Sequence, residues 1–351
     1  MIRRISTHLL FRPEDVPASR DGWEVIGAFN PGAVRHGNDV VLLVRVAERP
    51  RERRPGWTPL PRWSVAEGLV IDWAKDDELE FLDPRVVRRR ADGLVRLTFV
   101  SHLRVAVSHD GKTIDRIGEP AIVPQTADEE YGVEDPRITP LDGRFYISYV
   151  AVSRHGPATA LASTTDFSTF ERHGLIFCPE NKDVALFPER VADQYVALHR
   201  PVGGTPFTLP QMWIARSPDL IHWGQHEHLY GGRREFETGR VGAGTPPLLV
   251  KKGWLEVYHG NCRPATAGQV GAYFGAVMLL AKDEPGRVLG TGKEPILTPD
   301  IEFEQEGFVA NVVFPTGVVE AGDRLLVYYG ASDKYSAAVE LALRDVLGAL
   351  E

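Results

Sequence analysis

A short strand pattern recurs along this chain and limits the folds that it can adopt. In each copy a turn with Gly or Asp precedes an apolar strand, and a second apolar strand follows a polar stretch. The first strands of the six copies cover residues 40–45, 94–100, 144–150, 194–199, 254–259 and 324–329. They are rich in β-branched and aromatic residues, which favour strands. Copies about 50 to 70 residues apart are typical of repeat folds, so the pattern predicts an all-β protein.

The spacing of the copies favours a β-propeller of five or six four-stranded blades, with a β-sandwich as the alternative. Residues 338–347 show a helical apolar periodicity, so we expect a short C-terminal helix there. We predict one domain over residues 1–351. In a propeller, loops from every blade converge on a central channel. Functional residues should therefore be spread along the sequence and meet in that channel as an active site.

The composition argues against several other classes of protein. Asp and Glu (48) outnumber Lys and Arg (40), and the net charge of −8 argues against a nucleic-acid partner, which requires a basic surface. The longest apolar run, residues 273–281, is about half the length of a membrane span. The first residues show no hydrophobic signal segment, and there are two cysteines, Cys178 and Cys262. We therefore expect a cytoplasmic protein with reduced thiols.

Ten polar residues interrupt or end the predicted strands in ways that solvation alone does not explain. They are Asn30, Arg45, Glu134, Asp135, Arg137, Lys182, Asp183, Arg200, His259 and Asp333. The acids and the Asn suit the hydroxyl groups of a sugar, and the Arg, Lys and His suit an anion. Each residue by itself also fits an ordinary structural role. Because the sequence has no metal-binding motif and no nucleotide-binding glycine loop, we expect no metal and no organic cofactor.

The segments that carry these residues resemble glycoside hydrolase family 130, which contains β-mannoside phosphorylases and β-mannosidases. The resemblance extends from about residue 30 to residue 333. Its most specific motifs are residues 132–137 (GVEDPR), 186–189 with 199–201, 242–244 with 253–255 and 258–260, and 311–317. The family fold is a five-bladed β-propeller, so the resemblance implies five blades rather than six.

The resemblance also implies roles for the candidate residues. The Asp of the Glu-Asp-Pro-Arg motif, here Asp135, matches the proton donor of the family. The residues that match its mannosyl contacts are Asn30, Arg45 and Asp333. Those that match its phosphate contacts are Lys182, Arg200 and His259. The same polar segments add three residues to the predicted substrate-binding set: Glu134, Arg137 and Asp183.

The chemistry of glycoside cleavage favours phosphorolysis over hydrolysis for this set. Inverting hydrolysis needs a carboxylic acid at the leaving oxygen and a carboxylate base for water, about 6.5–9.5 Å away. Phosphate is already a nucleophile, so a phosphorylase needs only the acid and a cationic cradle, which Lys182, Arg200 and His259 would supply. We therefore predict an inverting β-mannoside phosphorylase. It would use inorganic phosphate as co-substrate and yield α-D-mannose 1-phosphate and a shortened sugar.

Alternatives remain open from the sequence alone. A β-mannosidase of the same fold is favoured if a glutamate faces Asp135 as a base, and the candidates are Glu235, Glu237, Glu302, Glu304 and Glu306. A non-catalytic glycan-binding propeller is the other alternative. The linkage cleaved, β-1,2 or β-1,4, is not decided, and residues 51–63 form the loop where acceptor differences are expected. Self-association as a homo-oligomer is also open.

Overall fold

The computed structural model describes residues 2–202, 207–264 and 270–351, and most of their regular structure is β-sheet. The chain begins with β1 (Ser6–Phe11) and enters a first group through β2 (Trp23–His36) and β3 (Asp39–Pro50). An insertion with two small sheets follows, made of β4 (Trp57–Ser64), β5 (Gly68–Lys75), β6 (Leu79–Asp83), β7 (Val86–Arg89) and β8 (Val95–Leu97). The chain then returns to complete the first group with β9 (Val100–Ser108) and β10 (Arg116–Ile122).

Two further groups of four antiparallel strands follow in chain order. The second comprises β11 (Gly132–Leu141), β12 (Arg144–Ser153), β13 (Gly156–Thr164) and β14 (Glu171–Phe177). The third comprises β15 (Asn181–Leu186), β16 (Tyr195–Pro201), β17 (Met212–Ser217) and β18 (Gly224–Tyr230). The first and second groups join through one parallel pair, Gly132 with Ser101.

The last two groups bring the two ends of the described chain together. In the fourth, β19 (Arg240–Gly242) and β20 (Leu248–Val250) both pair with β21 (Gly253–Asn261), followed by β22 (Tyr273–Leu280) and β23 (Val288–Thr291). A short helix, α1 (Glu302–Gln305), leads into the fifth group of β24 (Val313–Ala321), β25 (Arg324–Ala331) and β26 (Tyr335–Ala342). Strand β1 pairs with β26 as its fourth strand, and α2 (Leu343–Gly348) follows.

Six copies of the sequence pattern thus correspond to five groups of strands. The second copy is divided, because residues 95–97 form β8 of the insertion. Its remaining part is β9, which belongs to the same group as the first copy and pairs with β3 from Val40–Ser108 to Glu48–Val100. The predicted helix at 338–347 was wrong in its first part. Residues 338–342 belong to β26, which is hydrogen-bonded to β25 on one side and β1 on the other, and the helix starts only at Leu343. Among the described residues no helix is long and apolar enough to cross a membrane.

Five large clusters of buried apolar side chains fill the spaces between consecutive groups. Phe187 and Leu198 of the third group, for example, pack with Trp254 and Met278 of the fourth. Another cluster joins the fifth group to the first, with Tyr328 against Leu42. The remaining clusters join the first to the second, the second to the third, and the fourth to the fifth. Successive residues of an inner strand enter the two interfaces in turn, with Leu42 in one cluster and Leu43 in the other, so such a strand is a nearly continuous apolar run.

A buried carboxylate fixes the entry into three of the groups. It lies in a short helical turn before the inner strand, caps backbone N–H groups of that turn, and accepts a hydrogen bond from a tyrosine on the second strand. The pairs are Glu129–Tyr149 (2.8 Å), Glu237–Tyr258 (2.5 Å) and Glu304–Tyr329 (2.6 Å). Because a carboxylate accepts several bonds, one side chain ties the turn to the sheet behind it.

Candidate functional site

Irregularities in the inner strands position the polar side chains of the site. Asn30 in β2, Asp135 in β11 and Asp183 in β15 all have left-handed backbones, with φ of 51°, 49° and 56°. At each of them the pairing with the next strand shifts register, as in a β-bulge. Asn and Asp tolerate this conformation better than other residues with a Cβ, and bulges redirect side chains out of the regular alternation. An Asn or Asp at a β-bulge therefore turns a polar side chain out of the regular alternation in three of the groups.

These side chains line a cavity of about 430 Å³. Seven of the ten predicted residues lie on its wall: Asn30, Arg45, Asp135, Lys182, Asp183, Arg200 and Asp333. The other three, Glu134, Arg137 and His259, lie behind the wall and contact residues that form it. Sequence positions from 30 to 333 thus meet in one place, as expected for loops that converge from every group of strands.

Asp135 is held by two neighbours from the first group. Its Oδ1 accepts hydrogen bonds from Asn30 Nδ2 at 2.7 Å and from Arg45 Nη1 at 2.9 Å. Arg45 Nη2 also binds Glu134 Oε1 at 2.6 Å. Burial raises the pKa of Asp135, but the charges of Arg45 and Lys182 outweigh it and hold this pKa below its usual value. For Glu134 burial dominates, and its pKa is raised. Of the two carboxyl groups, Asp135 therefore gives up its proton more readily than Glu134.

A second buried carboxylate organises the cationic side of the cavity. Asp183 Oδ2 accepts a hydrogen bond from Arg200 Nε at 2.6 Å, and Asp183 Oδ1 lies 3.3 Å from Arg137 Nη2. Burial raises the pKa of Asp183, but Arg200, His259 and Arg137 outweigh it and keep this pKa well below its usual range. Among the described residues, no acceptor binds the two Nη groups of Arg200. Asp183 thus orients Arg200 and leaves its outer face available.

His259 differs from the predicted third cation. It is completely buried, its ring lies against Phe314 at an angle of 40° with centroids 4.5 Å apart, and its Nε2 lies 3.4 Å from Asp183 Oδ2. Burial lowers the pKa of His259 to about 3, so the imidazole is neutral at physiological pH. A Cβ at Gly242 would lie 2.5 Å from Asp183 Oδ2 and 2.7 Å from His259 Cε1. The glycine there is what allows this cluster to pack.

Two cavity arginines were not identified from the sequence. Arg85, from the turn between β6 and β7, lies 3.0 Å from Asp333 Oδ2 by its Nη1. Arg240 begins β19, lines the cavity, and like Lys182 has no ion-pair or hydrogen-bond partner in the part of the chain that the structure describes. Arg240 lies two residues before the glycine motif at 242–244, and that motif could have identified it as a site residue. Arg85 lies in the insertion, where no repeat pattern marks it.

The five glutamates considered as a hydrolytic base lie elsewhere. Glu237 and Glu304 are buried and bonded to tyrosines as described above. Glu235, Glu302 and Glu306 are exposed and do not line the cavity. Within the described ranges, no three His, Cys, Asp or Glu side chains gather as metal ligands.

Comparisons with known proteins agree on a class of relatives. A family model described as β-1,4-mannooligosaccharide phosphorylase matches residues 74–351. The β-1,2-mannobiose phosphorylase of Listeria innocua serovar 6a is 38% identical over 356 residues, covering 100% of this chain and 98% of that protein. The 1,2-β-oligomannan phosphorylase of Thermoanaerobacter sp. (strain X514) is 34% identical, covering 71% of this chain and 81% of that protein. A structure of the Listeria innocua enzyme in complex with β-1,2-mannobiose superposes with a TM-score of 0.90, at 37% identity and with 99% of both chains covered.

Proposed function

This chain belongs to glycoside hydrolase family 130, and on that premise we propose that it is an inverting β-mannoside phosphorylase. The observation that carries the proposal is the composition of the cavity wall. The wall presents Asp135 together with Lys182, Arg200 and Arg240, and among the described residues no carboxylate pairs with Lys182 Nζ, with the Nη groups of Arg200 or with the guanidinium group of Arg240. Of the other carboxylates on the wall, Asp183 and Asp333 are already paired with arginines and Glu180 is exposed. Asp135 beside these unpaired cations fits an acid that works with phosphate as the nucleophile.

The reaction follows from this arrangement. Phosphate bound by Lys182, Arg200 and Arg240 attacks the anomeric carbon of the mannosyl group. The new C–O bond to phosphate forms as the glycosidic C–O bond breaks, with inversion to α-D-mannose 1-phosphate. The departing sugar oxygen takes a proton from Asp135, directly or through a substrate hydroxyl. Asn30, Arg45 and Asp333 hold the mannosyl group by hydrogen bonds to its hydroxyls.

Proton delivery by Asp135 is linked to phosphate binding in this proposal. In the free site the Lys182 charge is one of the influences that lower the pKa of Asp135. A phosphate dianion on Lys182 offsets that charge, and the sugar excludes water. Both changes raise the pKa of Asp135, so the acid becomes protonated when both substrates are present. Phosphate therefore serves as nucleophile and also prepares the acid.

The fold assignment behind this site is a single five-bladed β-propeller over residues 1–351. The five groups of strands, the apolar clusters between consecutive groups and the cluster between the fifth and the first support it. The pairing of β1 with β26 would close the ring from both ends of the chain. A cytoplasmic location and self-association stay predictions from the sequence.

The preferred substrate in this proposal is a β-1,2-linked mannoside. The two relatives named above act, by their names, on β-1,2-mannobiose and 1,2-β-oligomannan, and one of them covers nearly the whole chain. The family description names β-1,4-mannooligosaccharides, so the β-1,4 linkage is the alternative. Incubation with β-1,2- and β-1,4-mannobiose, each with and without phosphate, separates these outcomes.

The expected result is release of mannose 1-phosphate from β-1,2-mannobiose only when phosphate is present. Equal cleavage without phosphate would make the protein a β-mannosidase, and binding without cleavage would make it a glycan-binding protein. Asp135→Asn should lower kcat at least a hundredfold, since a positioned general acid contributes about 10²–10⁴-fold. Asp142→Asn is a matched control, because Asp142 also has a left-handed backbone (φ 50°) but lies in a turn away from the cavity.

A further inference from the structure

The carboxyl group of Glu256 has no part in the chemistry proposed above. It lies on β21 without exposed surface, on the side of the strand that carries Trp254 and Tyr258. Its Oε1 accepts a hydrogen bond from Gly244 N at 3.0 Å, and its Oε2 has no partner in the described part of the chain. Burying a carboxyl group is costly unless it makes hydrogen bonds. The one hydrogen bond that Glu256 accepts therefore indicates that its role is to hold Gly244.

Gly244 connects Glu256 to the cavity wall. The carbonyl oxygen of Gly244 accepts a hydrogen bond from Arg137 Nε at 3.1 Å. Arg137 reaches Asp183 at 3.3 Å, and Asp183 accepts from Arg200 Nε at 2.6 Å. Every member of this series is buried. Four consecutive polar contacts therefore lead from Glu256 to the guanidinium group of Arg200.

The position of Gly244 is confined by its neighbours as well as by these bonds. A Cβ there would collide with the carbonyl oxygen of Val257 and lie 3.1 Å from that of Pro315. Without an acceptor for its N–H, Gly244 would keep a buried donor unsatisfied, and a shift of its peptide plane would move the carbonyl that holds Arg137. Burial raises the pKa of Glu256 well above its usual value, which favours the neutral form of this acceptor.

We infer that Glu256 is a positioning residue for phosphate binding, which fixes Gly244 so that Arg137 and Asp183 hold Arg200 toward the phosphate. This inference rests on the proposed function. The sugar-binding residues Asn30 and Arg45 lie outside the series, which reaches their partner Asp135 only at its backbone carbonyl, through Arg137 Nη1 at 3.0 Å. Loss of Glu256 should therefore weaken the interaction with phosphate and leave the interaction with the mannoside unchanged.

The test compares three variants by calorimetric titration with inorganic phosphate and by steady-state kinetics. Glu256→Leu removes the acceptor, and losing one buried hydrogen bond should raise the Kd and the KM for phosphate about tenfold. The KM for β-1,2-mannobiose should stay within about twofold of wild type. Glu256→Gln keeps an acceptor oxygen and should bind phosphate like wild type. Met278→Ala is the control for stability, because Met278 is the buried cross-strand neighbour of Glu256 and has no polar link to the cavity.

The inference is overturned if Glu256→Leu binds phosphate as wild type does, if the KM for mannobiose rises equally, or if Met278→Ala weakens phosphate binding to the same extent. Should Glu256→Leu not fold, Arg137→Lys interrupts the same series one contact later and also removes the bond to the backbone carbonyl of Asp135. A tenfold weaker phosphate interaction with an unchanged KM for mannobiose in that variant supports the inference. An unchanged phosphate interaction, or an equal rise of both KM values, overturns it.

The wild-type protein tests the proposed function separately from the role of Glu256. Phosphate binding without cleavage of any mannoside refutes the phosphorylase assignment, and the titrations still decide the role of Glu256. Absence of phosphate binding by the wild type overturns both.

Discussion

Replacing Asp183 by asparagine should destabilise the protein far more than the loss of one surface charge. Asp183 is 1% exposed and lies between Arg200 and Arg137, which are 5% and 1% exposed. Asparagine has nearly the same shape and tolerates the left-handed backbone at this position (φ 56°). The substitution therefore removes the charge and one acceptor oxygen and leaves the packing almost intact.

The magnitude follows from the two arginines left behind. Breaking a buried ion pair by removal of one partner costs about 3–5 kcal/mol, because the other charge stays buried without compensation. Here two guanidinium groups lose their common carboxylate, so we expect the upper part of this range, about 4–5 kcal/mol. At about 2 °C per kcal/mol for a chain of this size, the melting temperature should fall by about 8–10 °C. Phosphate should recover part of the loss, since it brings negative charge to Arg200.

Urea denaturation of wild type, Asp183→Asn and Asp142→Asn measures this effect. Asp142 also has a left-handed backbone and pairs with an arginine, Arg190 at 3.4 Å, but its side chain is 48% exposed. The same substitution there should cost less than about 1 kcal/mol, as for other surface ion pairs. If the free energy of unfolding of the two variants differs by less than about 1 kcal/mol, Asp183 does not balance the buried arginines and the electrostatic account of the site fails.

Three further predictions test other parts of the structure. Burial lowers the pKa of three histidines to about 3: His102, His199 and His259. Because the unfolded chain binds these protons at about pH 6.5, stability should fall below that pH by about 1.4 kcal/mol per pH unit for each histidine, and His199→Gln should remove about 1.4 kcal/mol per pH unit from the slope of stability against pH. Gly330→Ala should lower kcat more than tenfold, because its Cβ collides with Asn30 Oδ1 beside Asp135, whereas Gly224→Ala, with open space around its Cβ, should leave kcat unchanged. Tyr258→Phe should cost about 1–3 kcal/mol in urea denaturation by removing the shortest of the hydrogen bonds that Glu237 accepts, and an unchanged free energy of unfolding would contradict the structural role of that pair.

The sequence was sufficient to predict the features of the fold that depend on local patterns. Alternating apolar strands and turn residues indicate an all-β chain, because side chains of a strand alternate between two faces. The number of groups could not be derived, since the insertion between β3 and β9 separates two halves of one group by residues that have their own strand pattern. The C-terminal helix was misplaced because small apolar residues at 337–342 suit a buried strand and a helix equally.

The sequence by itself determined the chemical inventory of the site, with Asp135 in its motif and Asn or Asp at the positions where the inner strands take a left-handed turn. Only the tertiary structure decided which of these groups carry charge and which face the cavity. His259 is neutral because the surrounding groups bury it, and Arg240 faces the cavity without a partner among the described residues. Glu237 and Glu304 have a structural role because each accepts a hydrogen bond from a buried tyrosine. Protonation and pairing depend on distance and burial between residues far apart in sequence, and no local pattern encodes those quantities.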